Sequence, residues 1–139
     1  MKRAGLSLLG VVVTLGCRAA TERGAPTPRA GTAMLEVSSR FELLGRAILA
    51  QRWELAGYEL HELEEVLDDD LPRTKPWRDG SIRELGRRFL SDEVPMLRAA
   101  ITSGDAARSR AALVTVAQAC NECHHAAGVG FIEISSSSP

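Results

Sequence analysis

Cysteine is scarce in this chain of 139 residues: Cys17, Cys120 and Cys123 are the only three. With Cys17 at the edge of a leader segment, only a pair three positions apart remains. A disulfide between such neighbours closes a very small loop and stabilises little, so a disulfide framework is excluded. No stretch alternates apolar and polar residues in the way a half-buried strand requires, which leaves helices as the regular elements. Excess charge is missing as well, since 17 basic and 18 acidic residues leave a formal net charge of −1. Removing residues 1–16 takes away Lys2 and Arg3 and no acid, so 15 basic residues then face 18 acidic ones and the net charge becomes −3. That sign disfavours a nucleic-acid partner. Nor does any apolar run reach the roughly 20 residues that span a bilayer. What is present, 45% hydrophobic and 25% charged residues with 4% aromatics, is the balance of one soluble globular domain.

The chain opens on the basic "MKR", continues with the apolar "AGLSLLGVVVTLG" and then turns abruptly polar in "CRAATERGAPTPRAG". This is the pattern of an export signal over residues 1–16, followed by a flexible linker over 17–33. "TLGC" resembles the lipobox of bacterial lipoproteins, which would make Cys17 an acylated first residue and a lipid anchor. Thr14 stands where a lipobox usually has leucine, and Leu15 is one position late, so cleavage near Ala19 or Ala20 by the ordinary signal peptidase stays open. Either way the expected location is the periplasm or cell envelope, soluble or lipid-anchored.

From Met34 onward the apolar period is helical. Met34, Val37, Phe41, Leu44 and Ile48 recur at spacings of three and four, with Arg40, Glu42 and Arg46 toward the other side. A turn near Gln51 leads into a second helix, with Trp53, Ala56, Leu60, Leu63 and Leu67 inward and Glu54, His61, Glu64, Glu65 and Asp68 outward. "DLPRTKPWRDG" has prolines, glycine and no apolar period, and is expected to be the longest loop. Ser81 with Glu84 forms a capping-box signature for a third helix through Ile82, Leu85 and Phe89. Pro95 should kink or break that helix after Leu90, with Met96, Leu97, Ala100 and Ile101 continuing beyond it. Gly104 stops it, and Asp105 caps a fourth helix through Leu113, Val116, Ala117, Cys120, Cys123 and Ala127. The closing "GFIEISSSSP" offers a short apolar tail and then a serine run expected to be disordered over 135–139. Four amphipathic helices with short connections predict an all-α antiparallel four-helix bundle over residues 34–134.

The chemistry lies in "CNECHH". In C-x-x-C-H two thiols add to the vinyl groups of haem, two intervening residues set their separation, and the following histidine brings a neutral imidazole to the iron. Cys120, Cys123 and His124 therefore read as the attachment and ligand residues of one covalent haem c. A structural zinc site needs four ligands, and only His61 and His125 remain to complete one. A thioredoxin-type dithiol opens a helix after a strand, whereas this pair closes a helix. His125 reads as a surface residue, His61 with Glu64 and Glu65 as a solvated face, and Trp53 and Trp77 as packing residues. The acidic "EEVLDDD" reads as a solvated helix end, on which a cationic redox partner could dock.

A bundle with its single haem motif in the last helix resembles the class II c-type cytochromes, the cytochrome c′-like family. "RWELAGYELHELEE" and "ACNECHHAAGVGFIEI" further resemble a small exported bacterial branch with W-x-L-A-x-Y and C-N-x-C-H stretches. The resemblance implies haem on Cys120 and Cys123, His124 as proximal iron ligand, and periplasmic electron transfer with redox partner proteins rather than enzymatic catalysis. Binding or sensing of small gases such as NO or CO at a five-coordinate haem is the alternative, and a zinc- or thiol-dependent envelope protein a more distant one. The resemblance also implies a homodimer through the first two helices and a distal haem side facing the first helix. Met34 is the only potential ligand on that stripe, with Met96 a second candidate in helix three. Because Met34 is expected at the fraying end of its helix, the expectation is a five-coordinate iron under an apolar lid.

Overall fold

The computed structural model describes residues 29–74 and 81–135. Residues 1–28, 75–80 and 136–139 and the side chain of Ser81 lie outside the described residues, and with them the expected export signal, Cys17, Trp77, the expected Ser81 cap and most of the serine run. The elements are α1 (Ala30–Leu49), α2 (Trp53–Glu65), a π-helical turn (Val66–Asp70), α3 (Leu71–Arg73), α4 (Ser81–Asp92), α5 (Val94–Thr102) and α6 (Ala106–Ala126). Among the described residues there is no strand, and the helices pack as a bundle. In it α1 lies beside α2 and α6, α5 beside α6 and α2, and α4 against α6 and the π-helical turn. No described helix is long and apolar enough to cross a membrane.

The apolar stripes meet at the centre, where Leu44, Ile48, Leu60, Leu63, Leu97 and Val116 are each no more than 1% exposed. Each such side chain contributes roughly 1.5–3 kcal/mol by leaving water. The connections are short and capped. The N–H groups of Gln51 and Arg52 bond the carbonyls of Ile48 and Ala47 at 3.0 and 2.8 Å, which closes α1 with Gln51 in the left-handed region at φ 54°. Gly104, at φ 67°, makes the turn before α6, and the Asp105 carboxylate accepts the Arg108 N–H at 2.9 Å. Trp53 packs its indole against Gly104. The break at Pro95 falls where its chemistry requires, with α4 ending at Asp92 and Pro95 in the first turn of α5.

Four expectations change. First, α1 begins at Ala30 rather than near Met34, and Ala30 and Ala33 are buried; two alanines are too small to mark an apolar stripe by periodicity. Second, the segment read as a loop from Asp70 is helical as far as Arg73. Pro72 cannot donate to the Asp68 carbonyl and its ring crowds that turn, so the helix widens ahead of it, the Leu71 N–H bonding the Val66 carbonyl. Third, the break at Glu93 shifts the phase of α5, leaving Met96 40% exposed while Leu97 is fully buried. Fourth, Arg40 is half-buried and paired rather than freely solvated: its guanidinium bonds Glu36 at 2.8 Å, Glu59 at 3.2 Å and Glu62 at 3.2 Å. Glu59 is only 4% exposed, so Arg40 supplies the countercharge that lets a carboxylate sit between α1 and α2. The Glu59 hydrogen bond, against the opposing effect of burial, raises the Arg40 pKa.

Candidate functional site

Helix α6 carries Cys120, Cys123 and His124 in its last two turns, where spacings of three and four put them on neighbouring positions of one face. They look into an apolar cavity of about 330 Å³. Its walls come from α1 (Met34, Val37, Phe41), α4 (Ile82, Phe89) and the chain after α6 (Val129, Ile132, Ile134), among others. That volume lies in the range of small-molecule sites. Gly31, on the same wall, has open space where a side chain would begin.

His124 is oriented by the backbone. Its Nδ1 lies 2.8 Å from the Ile132 carbonyl oxygen. A carbonyl only accepts, so Nδ1 carries the proton and donates it, which leaves the Nε2 lone pair of the neutral ring for a metal. Metal-ligating histidines are commonly held in this way.

That carbonyl is in place because the chain reverses after α6. Gly128, at φ 73°, permits the reversal, and the N–H groups of Gly128 and Val129 bond the carbonyls of His125 and His124 at 3.0 and 2.8 Å. The chain then runs back along the helix to Asn121. The Asn121 amide donates to the Ile134 carbonyl at 3.0 Å and its oxygen accepts the Ile134 N–H at 2.7 Å.

Both thiols are free, and both are held protonated. Burial, helped by the neighbouring Cys123, pushes the Cys120 thiol up to about 12, and burial also raises Cys123. Activated redox cysteines are shifted the opposite way.

The remaining site residues separate clearly. Met34 is half-buried and lines the cavity, whereas Met96 does not. Because α1 begins at Ala30, Met34 lies in the second turn of that helix and not at its fraying end. Leu44 and Ile48 belong to the core rather than to the cavity wall. His125 is exposed, as expected, with its ring against Gly130. His61 is exposed and lies 3.5 Å from Glu65 on an open charged cleft, and no group of three or more His, Cys, Asp and Glu side chains that could hold a metal ion occurs among the described residues. Sequence reasoning missed Asn121, the Ile132 carbonyl and Val129. The apolar "GFIEI" hinted at a docked tail, and the C-N-x-C-H stretch includes Asn121 but says nothing of a partner for it. The chain matches no family model, no curated protein and no solved structure.

Proposed function

We propose that this chain is a c-type cytochrome that carries one covalently bound haem and transfers electrons in the periplasm or cell envelope. The observation that carries the reading is the juxtaposition of C-x-x-C-H with an apolar cavity and a histidine whose Nδ1 proton is already engaged. The donor set fits haem c. Cys120 and Cys123 would add S–H across the two vinyl groups, each sulfur bonding one vinyl carbon and the proton going to the other, with no net oxidation. His124 Nε2 would bind the iron. When bound, haem supplies an iron centre that cycles between ferric and ferrous states.

The chain's own residues then hold and tune that centre. The apolar wall of Val37, Phe41, Ile82 and Phe89 limits water, which favours the less charged ferrous state. His124, donating to Ile132, is a stronger electron donor than a free imidazole and favours the ferric state. Met34 is the one thioether on the cavity wall and the candidate sixth ligand. Dithiol exchange is disfavoured by the raised thiol pKa values, and a closed zinc site by the lack of further clustered ligands among the described residues.

A gas-binding haem is the second reading, favoured by Val37 and Phe41, which share the cavity wall with Met34 and cannot ligate. Absorption spectra of exported protein, oxidised and reduced, test both. The expected result is a haem spectrum that survives denaturation, with a methionine-to-iron charge-transfer band in the oxidised protein that disappears in Met34→Ala and persists in Met96→Ala. A spectrum without that band, shifting on addition of CO or NO, establishes the second reading. Protein exported and matured alongside a known c-type cytochrome, yet colourless, rejects both.

A further inference from the structure

We infer that residues 128–134 form a strap that sets the strength of the proximal ligand, and that Asn121, the first intervening residue of C-x-x-C-H, is the positioning residue that holds it. The inference rests on the haem reading above and adds a residue to which the motif itself assigns only a spacing role.

The strap meets α6 at successive points. Gly128 reverses the chain, Gly130 lies against the His125 ring, the Ile132 carbonyl meets His124 and the Ile134 backbone meets Asn121. At Gly130 an added Cβ would fall 2.3 Å from His125 Nδ1, so the approach is as close as a glycine allows. Asn121 contributes both a donor and an acceptor to one residue of the strap, reproducing on a side chain the paired bonds of a strand partner. Only Glu133 separates Ile132 from Ile134, which leaves little slack, so fixing Ile134 on α6 also restrains the carbonyl that His124 addresses. The strap is tied to α6 at its start by the Gly128 and Val129 N–H bonds, and Ile134 packs against the core, but between them Phe131 is 84% and Ile132 46% exposed. Ile132 keeps its own N–H bond to the Val129 carbonyl at 2.9 Å; without Asn121 the carbonyl loses the hydrogen-bonded anchor on its C-terminal side.

The consequence is electronic as well as structural. An Nδ1–H that donates to a fixed carbonyl makes the imidazole a better donor through Nε2 and stabilises ferric iron. Released from the strap, the same proton bonds to mobile water and the ferric state loses part of that stabilisation.

The test compares exported wild-type protein with Asn121→Ala, Asn121→Leu and Glu122→Ala, the last altering the exposed second intervening residue. Four quantities are read: covalent haem per chain, helix content, midpoint potential, and exchange of the Ile134 amide and the His124 Nδ1 proton by NMR. Both Asn121 variants are expected to keep haem and helix content, to exchange both protons faster, and to favour the ferrous state by about tenfold, about 59 mV for one electron. Glu122→Ala is expected to match wild type. The leucine variant retains side-chain bulk and carries the test if alanine fails to fold. Faster Ile134 exchange with unchanged potential and an unchanged Nδ1 proton would overturn the inference, as would unchanged Ile134 exchange. If wild type proves to carry no covalent haem, the functional reading fails by itself, while Ile134 exchange still reports whether Asn121 holds the strap.

Discussion

Replacing both Cys120 and Cys123 with serine should prevent attachment of the proposed haem and expose how far the fold depends on it. The cavity measures about 330 Å³. At about 24 cal/mol per Å³ of unfilled space, a fully enclosed void of that size would cost about 8 kcal/mol. Leu35 and Ile132 on its wall are 74% and 46% exposed, so the cavity opens to water and the cost falls to roughly half, about 4 kcal/mol. A domain of this kind has about 5–15 kcal/mol in total, so the double variant should sit close to unfolding. Urea unfolding followed by far-ultraviolet circular dichroism measures the difference. Wild-type chain recovered without attached haem serves as the control for any effect of serine itself, and it should match the double variant within about 1 kcal/mol, since the two cavities are equally empty. A double variant with unchanged colour, or one as stable as the haem-bearing protein, would refute both the attachment and the role of the cavity.

His124→Ala should change spin state and absorption strongly, whereas His125→Ala should leave the spectrum nearly intact; the opposite ranking would place the iron on the wrong histidine here. In the haem-free chain, the raised thiol pKa values make stability pH-dependent. A thiol that ionises less readily when folded contributes stability that is complete below its ordinary pKa of 9.0 and is lost as pH rises toward about 12. Unfolding midpoints of the haem-free wild type should therefore fall over that window, and Cys120→Ala should flatten the decline. Asp105→Ala removes the acceptor for the Arg108 N–H and should cost about 1 kcal/mol in a urea titration, with no change in the haem spectrum.

Local chemistry accounts for the parts that were legible from residues alone. Apolar residues at spacings of three and four make helices whichever way they later pack, proline cannot donate and so breaks α4 from α5, and Asp105 caps α6 through a bond to its own near neighbour. The candidate residues of C-x-x-C-H are likewise close enough along the chain to be picked out directly. Each of these rests on groups within about one helical turn.

What the sequence by itself determined, then, is the four amphipathic helical segments, the break ahead of Pro95, the Asp105 cap, and the candidate residues Cys120, Cys123 and His124. Only the tertiary structure decided which distant groups meet. Arg40 reaches Glu59 across 19 residues, and Asn121 finds Ile134 across 13. The apolar cavity exists only where α1, α4, α6 and the strap converge. Amphipathic periodicity states that a face is buried without stating against what. A hydrogen bond between remote residues leaves no periodic trace, because its partners are brought together by the packing of the helices and not by their spacing along the chain.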